Sequence, residues 1–159
     1  MSTKTLNGAC LCGKITYAID LPASSPTPKV LPLPTFPTCP APLRYDCKKY
    51  TGGPFSTNII INPSQLRYTS GHPKTFTDNS TDSGNPLPRI FCPDCGCHFT
   101  SSPEGADWAA LKWGTLDEES RRVTGELAGE IYCKRRDGWV DCLVGAEAKG
   151  VFRKEAGMA

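Results

Sequence analysis

Two tight cysteine pairs constrain this chain more than any other feature: Cys10-Leu-Cys12-Gly13 near the N-terminus and, far downstream, Cys92-Pro-Asp-Cys95-Gly96. A Cys-x-Cys pair bonds to itself only with strain, so a shared metal is the better reading of Cys10 and Cys12. Two thiolates three positions apart can bind one ion from a single tight turn. The glycine after each pair accepts φ > 0. Such a turn aims backbone N–H groups at the sulfurs. Four thiolates from two distant turns would close a tetrahedral structural zinc site and tie the N-terminus to the second half of the chain. An iron–sulfur cluster also uses four cysteines, but mixed close pairs with these glycines favour zinc. The bland alternative, four separate thiols, does not account for the spacing.

The chain holds nine cysteines in 159 residues, an odd number and more than packing alone requires. In a reducing compartment their close spacing favours metal thiolates over disulfides. The length fits one domain, residues 1–159, able to bury roughly two-thirds of its unfolded surface without disulfide support. Net charge is +2, and no basic stripe with interleaved aromatics is present, so nucleic acid is not an expected partner. The N-terminal MSTKTLNGACLCG has no apolar h-region, and no run approaches 18 apolar residues. The expectation is a soluble, cytoplasmic protein with no membrane association.

Glycine and proline number fifteen each, which punctuates the chain too often for long helices. Residues 14–20 alternate, with Ile15, Tyr17 and Ile19 on one face of a half-buried strand. Residues 21–42 carry eight prolines and cannot form a central strand, because proline lacks the ladder N–H. They read as an exposed loop or a partly extended polyproline segment. Strands are expected at 55–61, 66–69, 74–77, 108–113 and 130–135, with a polar loop at 77–88. Arg89-Ile-Phe and His98-Phe-Thr flank the cysteine turn as in a hairpin, and a short helix is expected at 118–123. The sum is a mainly β fold of short strands.

Five motifs stand in order: Gly8-Ala-Cys-Leu-Cys-Gly-Lys-Ile-Thr-Tyr17, Asp46-Cys-Lys-Lys-Tyr-Thr-Gly52, Phe91-Cys-Pro-Asp-Cys-Gly96, Gly114-Thr-Leu-Asp117 and Trp139. Together, from about residue 8 to 145, they resemble the glutathione-dependent formaldehyde-activating enzyme family, which includes the centromere-protein-V-like domains. The resemblance implies a β-tent-like single domain of short antiparallel strands around a four-cysteine zinc, with Cys10, Cys12, Cys92 and Cys95 as the ligands. It also implies a second, more exposed zinc held by three cysteines just before the Lys-Lys segment. An open three-thiolate zinc can bind an incoming thiol and turn it into a nucleophile. The implied activity is that of a carbon–sulfur lyase joining glutathione to formaldehyde as S-(hydroxymethyl)glutathione.

The chain departs from the family at that second site. Anchored on Cys47, the other two ligands should fall at positions occupied by Pro42 and Arg44, and neither supplies a thiolate. Cys47 and Cys39 are the remaining candidates for a second, catalytic zinc, with Cys97 or His98 as further contributors. The bland reading makes Cys39 a loop thiol and Cys47 a packed one. The departure is confined to residues 31–44, which a local splice or reading-frame error would also produce. His72 is expected in an exposed turn, Asp117 as a helix cap, and Trp108, Trp113 and Trp139 as core or pocket-wall aromatics. Lys134, Arg135 and Arg136 read as a solvated strand end, and Cys133 and Cys142 as packed thiols. Two functional expectations follow: a lyase acting on a small thiol such as glutathione, or a non-catalytic binding module that keeps only structural zinc.

Overall fold

The computed structural model describes residues 3–29, 31–33, 46–81, 84–126, 129–131 and 152–154. The chain order is β1 (Thr3–Ala9), β2 (Thr16–Pro22), β3 (Leu31–Leu33), α1 (Asp46–Thr51), β4 (Ser56–Ile61), β5 (Leu66–Ser70), β6 (Lys74–Asp78), β7 (Leu87–Phe91), β8 (His98–Ser101), β9 (Ala109–Lys112), α2 (Glu118–Thr124), β10 (Gly129–Ile131) and β11 (Phe152–Lys154). The fold is mainly β. Strands β1, β2 and β5 form one antiparallel sheet, and β3-β4-β9-β8-β7-β6 form a second. A separate parallel pair, β10 with β11, lies against β3 at the edge of the larger sheet.

The alternation read in the sequence is what joins the two main sheets. Ile15, Tyr17 and Ile19 are buried in one core with Leu6, and they meet Ile59, Ile61, Phe99 and Leu111 of the larger sheet. Phe99 of β8 packs edge-on against Tyr17 and Tyr68 of the smaller sheet, with ring centroids 5.7 Å apart in both cases. Edge-to-face geometry sets the positive rim of one ring against the negative face of the next. This aromatic trio packs the two main sheets against each other. β1 reaches its place because Gly8 has no side chain: a Cβ there would collide with the Tyr17 ring and lie 2.5 Å from the Thr115 carbonyl oxygen.

Several elements differ from expectation for local reasons. β1 is not legible in the sequence, because Thr3–Ala9 offers one large apolar residue, Leu6, and is held by full pairing with β2. β3 shows that the proline-rich segment does contribute a strand, but a three-residue one at the sheet edge, where a missing N–H costs no ladder bond. α1 was hidden behind Cys47 and its lysines. Its stop signal is Gly52 at φ 65°, whose N–H bonds the Lys48 carbonyl at 2.8 Å. β5 and β6, though joined by the Ser-Gly-His-Pro turn, pair with different sheets. His72 in that turn is exposed, as expected.

The helix at the end of the described core is capped as its sequence suggests. Asp117 Oδ1 accepts the Ser120 N–H at 2.8 Å. Glu118 and Glu119 lie at the positive end of α2, and Arg121 and Arg122 at the negative end. Trp113 is fixed by its indole N–H donating to Thr124 Oγ1 at 3.0 Å. Residues 34–45, which include Cys39, Pro42 and Arg44, lie outside the described residues, as do Cys133, Lys134, Arg135, Arg136, Trp139 and Cys142.

Candidate metal centre

The β1–β2 turn and the β7–β8 turn each deliver one cysteine pair to the same point. Cys10 closes a turn in which its N–H bonds the Ile15 carbonyl at 2.9 Å and its carbonyl accepts from Gly13 at 3.0 Å. Cys92 does the same in the second turn, accepting from Gly96 at 2.9 Å while its N–H bonds the Cys97 carbonyl at 2.8 Å. Gly13 and Gly96 have φ of 75° and 70°, the left-handed region that glycine tolerates best.

The sulfurs of Cys10, Cys12, Cys92 and Cys95 all lie within 4.8 Å of one another. Cys10 and Cys12 Sγ are 3.4 Å apart, and Cys12 and Cys92 Sγ 3.9 Å. A tetrahedron of thiolates bonded at 2.3 Å has edges of about 3.8 Å. The cluster therefore has the size and donor set to hold one metal ion, and a four-sulfur tetrahedral shell suits zinc or iron. Among the described residues it is the single such group.

The polypeptide itself prepares these thiols. Cys95 is held down at about 6, first by the Cys97 backbone N–H and then by that of Cys12. Burial opposes the Cys10 thiolate, but the Ile15 N–H, 3.3 Å from its sulfur, and the Cys12 and Cys92 thiols outweigh it and lower its pKa. The Lys14 N–H favours ionisation of Cys12, yet the crowding thiols, Cys10 foremost, push it up to about 12. One sulfur ionises readily and its neighbour resists. A bound divalent cation would ease that conflict by stabilising all four thiolates together.

Comparison with known proteins agrees with this geometry. Residues 5–135 match the family described as glutathione-dependent formaldehyde-activating enzyme. The chain belongs to that family. A solved structure of a Rhodobacter sphaeroides protein is similar at 16% identity, covering 76% of this chain and 96% of that one with a TM-score of 0.48. No curated protein gives a significant match to the sequence.

The second site expected of the family is only partly visible. Cys47 lies in α1, but its side chain and the whole of Cys39 fall outside what is described. Cys97 is not part of the four-sulfur group. It is half-buried against the core and, with Cys10, Leu11, Tyr17, Thr115 and Asp117, lines a cleft of about 520 Å³. Burial, the largest influence, pushes its thiol up.

The polar layer beneath α1 has no signal in the sequence. Ser56 and Asn58 alternate with Ile59 and Ile61, which would normally place them in water. Here both are buried, and Lys112 Nζ donates to Ser56 Oγ and Asn58 Oδ1, each at 2.8 Å. Arg89, 4% exposed, sends Nε and Nη2 to Asp78 Oδ2 at 3.1 and 2.8 Å. The Tyr50 ring of α1 sits over this layer, 4.4 Å from the Arg89 guanidinium carbon and 5.3 Å from Lys112 Nζ. His98 stacks on it at 3.7 Å, 9° from parallel.

His98 titrates below the ordinary histidine value, first through burial and then through the charges of Lys112 and Arg89. A depressed folded-state pKa means stability is fully present above the unfolded value of about 6.5 and is lost as pH falls through the folded one. The melting temperature should therefore fall on acidification. His98→Phe, which keeps a ring against Tyr50, should fall less between pH about 7.5 and about 5. Parallel curves for the two proteins would remove His98 from the acid response.

Proposed function

We propose that this protein is a zinc-dependent, carbon–sulfur lyase-type enzyme acting on a glutathione adduct. Its reaction would be the reversible formation of S-(hydroxymethyl)glutathione from glutathione and formaldehyde. The observation that carries this reading is family membership across residues 5–135 together with a four-cysteine cluster of zinc dimensions. Cys10, Cys12, Cys92 and Cys95 would hold a structural zinc, which when bound locks the two cysteine turns together and contributes folding energy.

In the addition, the glutathione sulfur attacks the formaldehyde carbon and a carbon–sulfur bond forms. The carbonyl electron pair moves to oxygen, which takes the proton that left the thiol. The reverse step breaks the same bond. The thiol is proposed to be handled at the turn that carries Cys47, with Cys39 as its candidate partner. The residues at 42 and 44, Pro42 and Arg44, do not complete the three-thiolate shell of the family, so the proposed reaction uses no second zinc. What the chain provides there is charge: Lys48 and Lys49 on α1 and Lys112 beneath it favour an anionic tripeptide thiol.

The same two substitutions favour a second reading, a binding module that keeps one structural zinc and has no catalysis. Elemental analysis combined with a glutathione titration separates the two. Glutathione binding with accelerated adduct formation supports the enzyme. One zinc per chain with no thiol binding and no acceleration supports the module and overturns the first reading.

A further inference from the structure

We infer that Tyr50 is the positioning residue of the thiol-handling turn, clamped by His98 and Arg89 so that α1 is docked on the large sheet in one orientation. The inference rests on the reading that the Cys47 turn handles the thiol, and it adds the device that holds that turn in place.

α1 has six residues. A helix so short does not hold itself together in water, because nucleation outweighs the few bonds it gains. Its order must come from what it packs against. Tyr50 is the residue that makes the described ring contacts, and they reach three strands. His98 of β8 lies flat on the ring at 3.7 Å, Arg89 of β7 approaches it at 4.4 Å, and Lys112 of β9 at 5.3 Å. Two of these neighbours are themselves pinned, Arg89 by Asp78 and Lys112 by Ser56 and Asn58. The ring therefore meets a preorganised surface rather than loose side chains. Cys47 stands one helical turn before Tyr50, so the orientation of the ring sets that of the Cys47 backbone.

The clamp also connects the two centres of the molecule. His98 follows Cys95 by three residues, where the cysteine turn becomes β8. A metal that fixes that turn fixes the surface on which Tyr50 rests.

The test uses the full zinc-loaded chain and reads Cys47 directly, by the rate of its alkylation with iodoacetamide followed by peptide mass spectrometry over a range of pH. Glutathione affinity and zinc content are measured on the same samples. Tyr50→Phe keeps a ring for stacking and should keep the wild-type Cys47 rate and pH profile. Tyr50→Ala removes stacking and cation–π contact together and should change the Cys47 rate roughly tenfold or more, with a matching loss of glutathione affinity and no change in zinc content. Should Tyr50→Ala not fold, His98→Ala against His98→Phe makes the same comparison from the other side of the stack, with the phenyl ring restoring the wild-type rate. Cys47 kinetics that are identical in wild type and Tyr50→Ala, or shifted equally by Tyr50→Phe, overturn the inference. Failure of the functional reading shows separately, as a wild-type chain that does not bind glutathione at all.

Discussion

Cys95→Ser is expected to release the metal and to melt more than about 10 °C below the wild-type chain. Structural zinc in small domains contributes on the order of 10 kcal/mol of folding energy, and about 3 °C of melting temperature accompanies each kcal/mol in a domain of this length. Only part of the metal energy needs to be lost for an effect of that size. Cys95 is the informative position because it is half-buried, so serine leaves little packing defect of its own. Leu11→Ala is the matched control: it lies in the first cysteine turn but is 88% exposed, and it should leave both zinc content and melting temperature unchanged. Differential scanning calorimetry with elemental analysis reads both. A Cys95→Ser protein with wild-type melting would show that the four sulfurs do not hold a structural metal.

Asp78→Ala should be nearly as damaging, although it lies far from any cysteine in the sequence. Asp78 is the described ion-pair partner of a guanidinium that is 4% exposed. Removing one member of a buried pair leaves the other charge without compensation, typically at a cost of about 3–5 kcal/mol. The expected fall in melting temperature is roughly 10 °C. Asp78→Ala combined with Arg89→Met should recover much of the loss, because an apolar stem of similar length fills the site without a charge. Chemical denaturation of the four proteins of this cycle measures the coupling. An Asp78→Ala variant within about 0.5 kcal/mol of wild type would show that water reaches the pair.

The parts of the fold that were legible share a cause. The cysteine pairs and their glycines encode turn chemistry locally, so their spacing alone points to the sulfur cluster. Ile15, Tyr17 and Ile19 revealed a buried strand face because their alternation is a local record of a core. Asp117 ahead of Glu118 and Glu119 marked the start of α2 in the same way. β1 and α1 were not legible, since neither carries its own stabilisation: β1 depends on pairing with β2, and α1 on the surface beneath Tyr50.

The sequence by itself determined the turns of the four clustered cysteines, the mainly β character and the family, because these depend on short-range patterns of thiols, glycines and apolar residues. Tertiary structure alone decided that Ser56, Asn58 and Arg89 would be buried and Lys112 half-buried rather than solvated. A polar residue alternating with isoleucines faces water unless something covers it. Whether something does is settled by where α1 lands, and that depends on contacts between residues as distant in the chain as Tyr50 and His98.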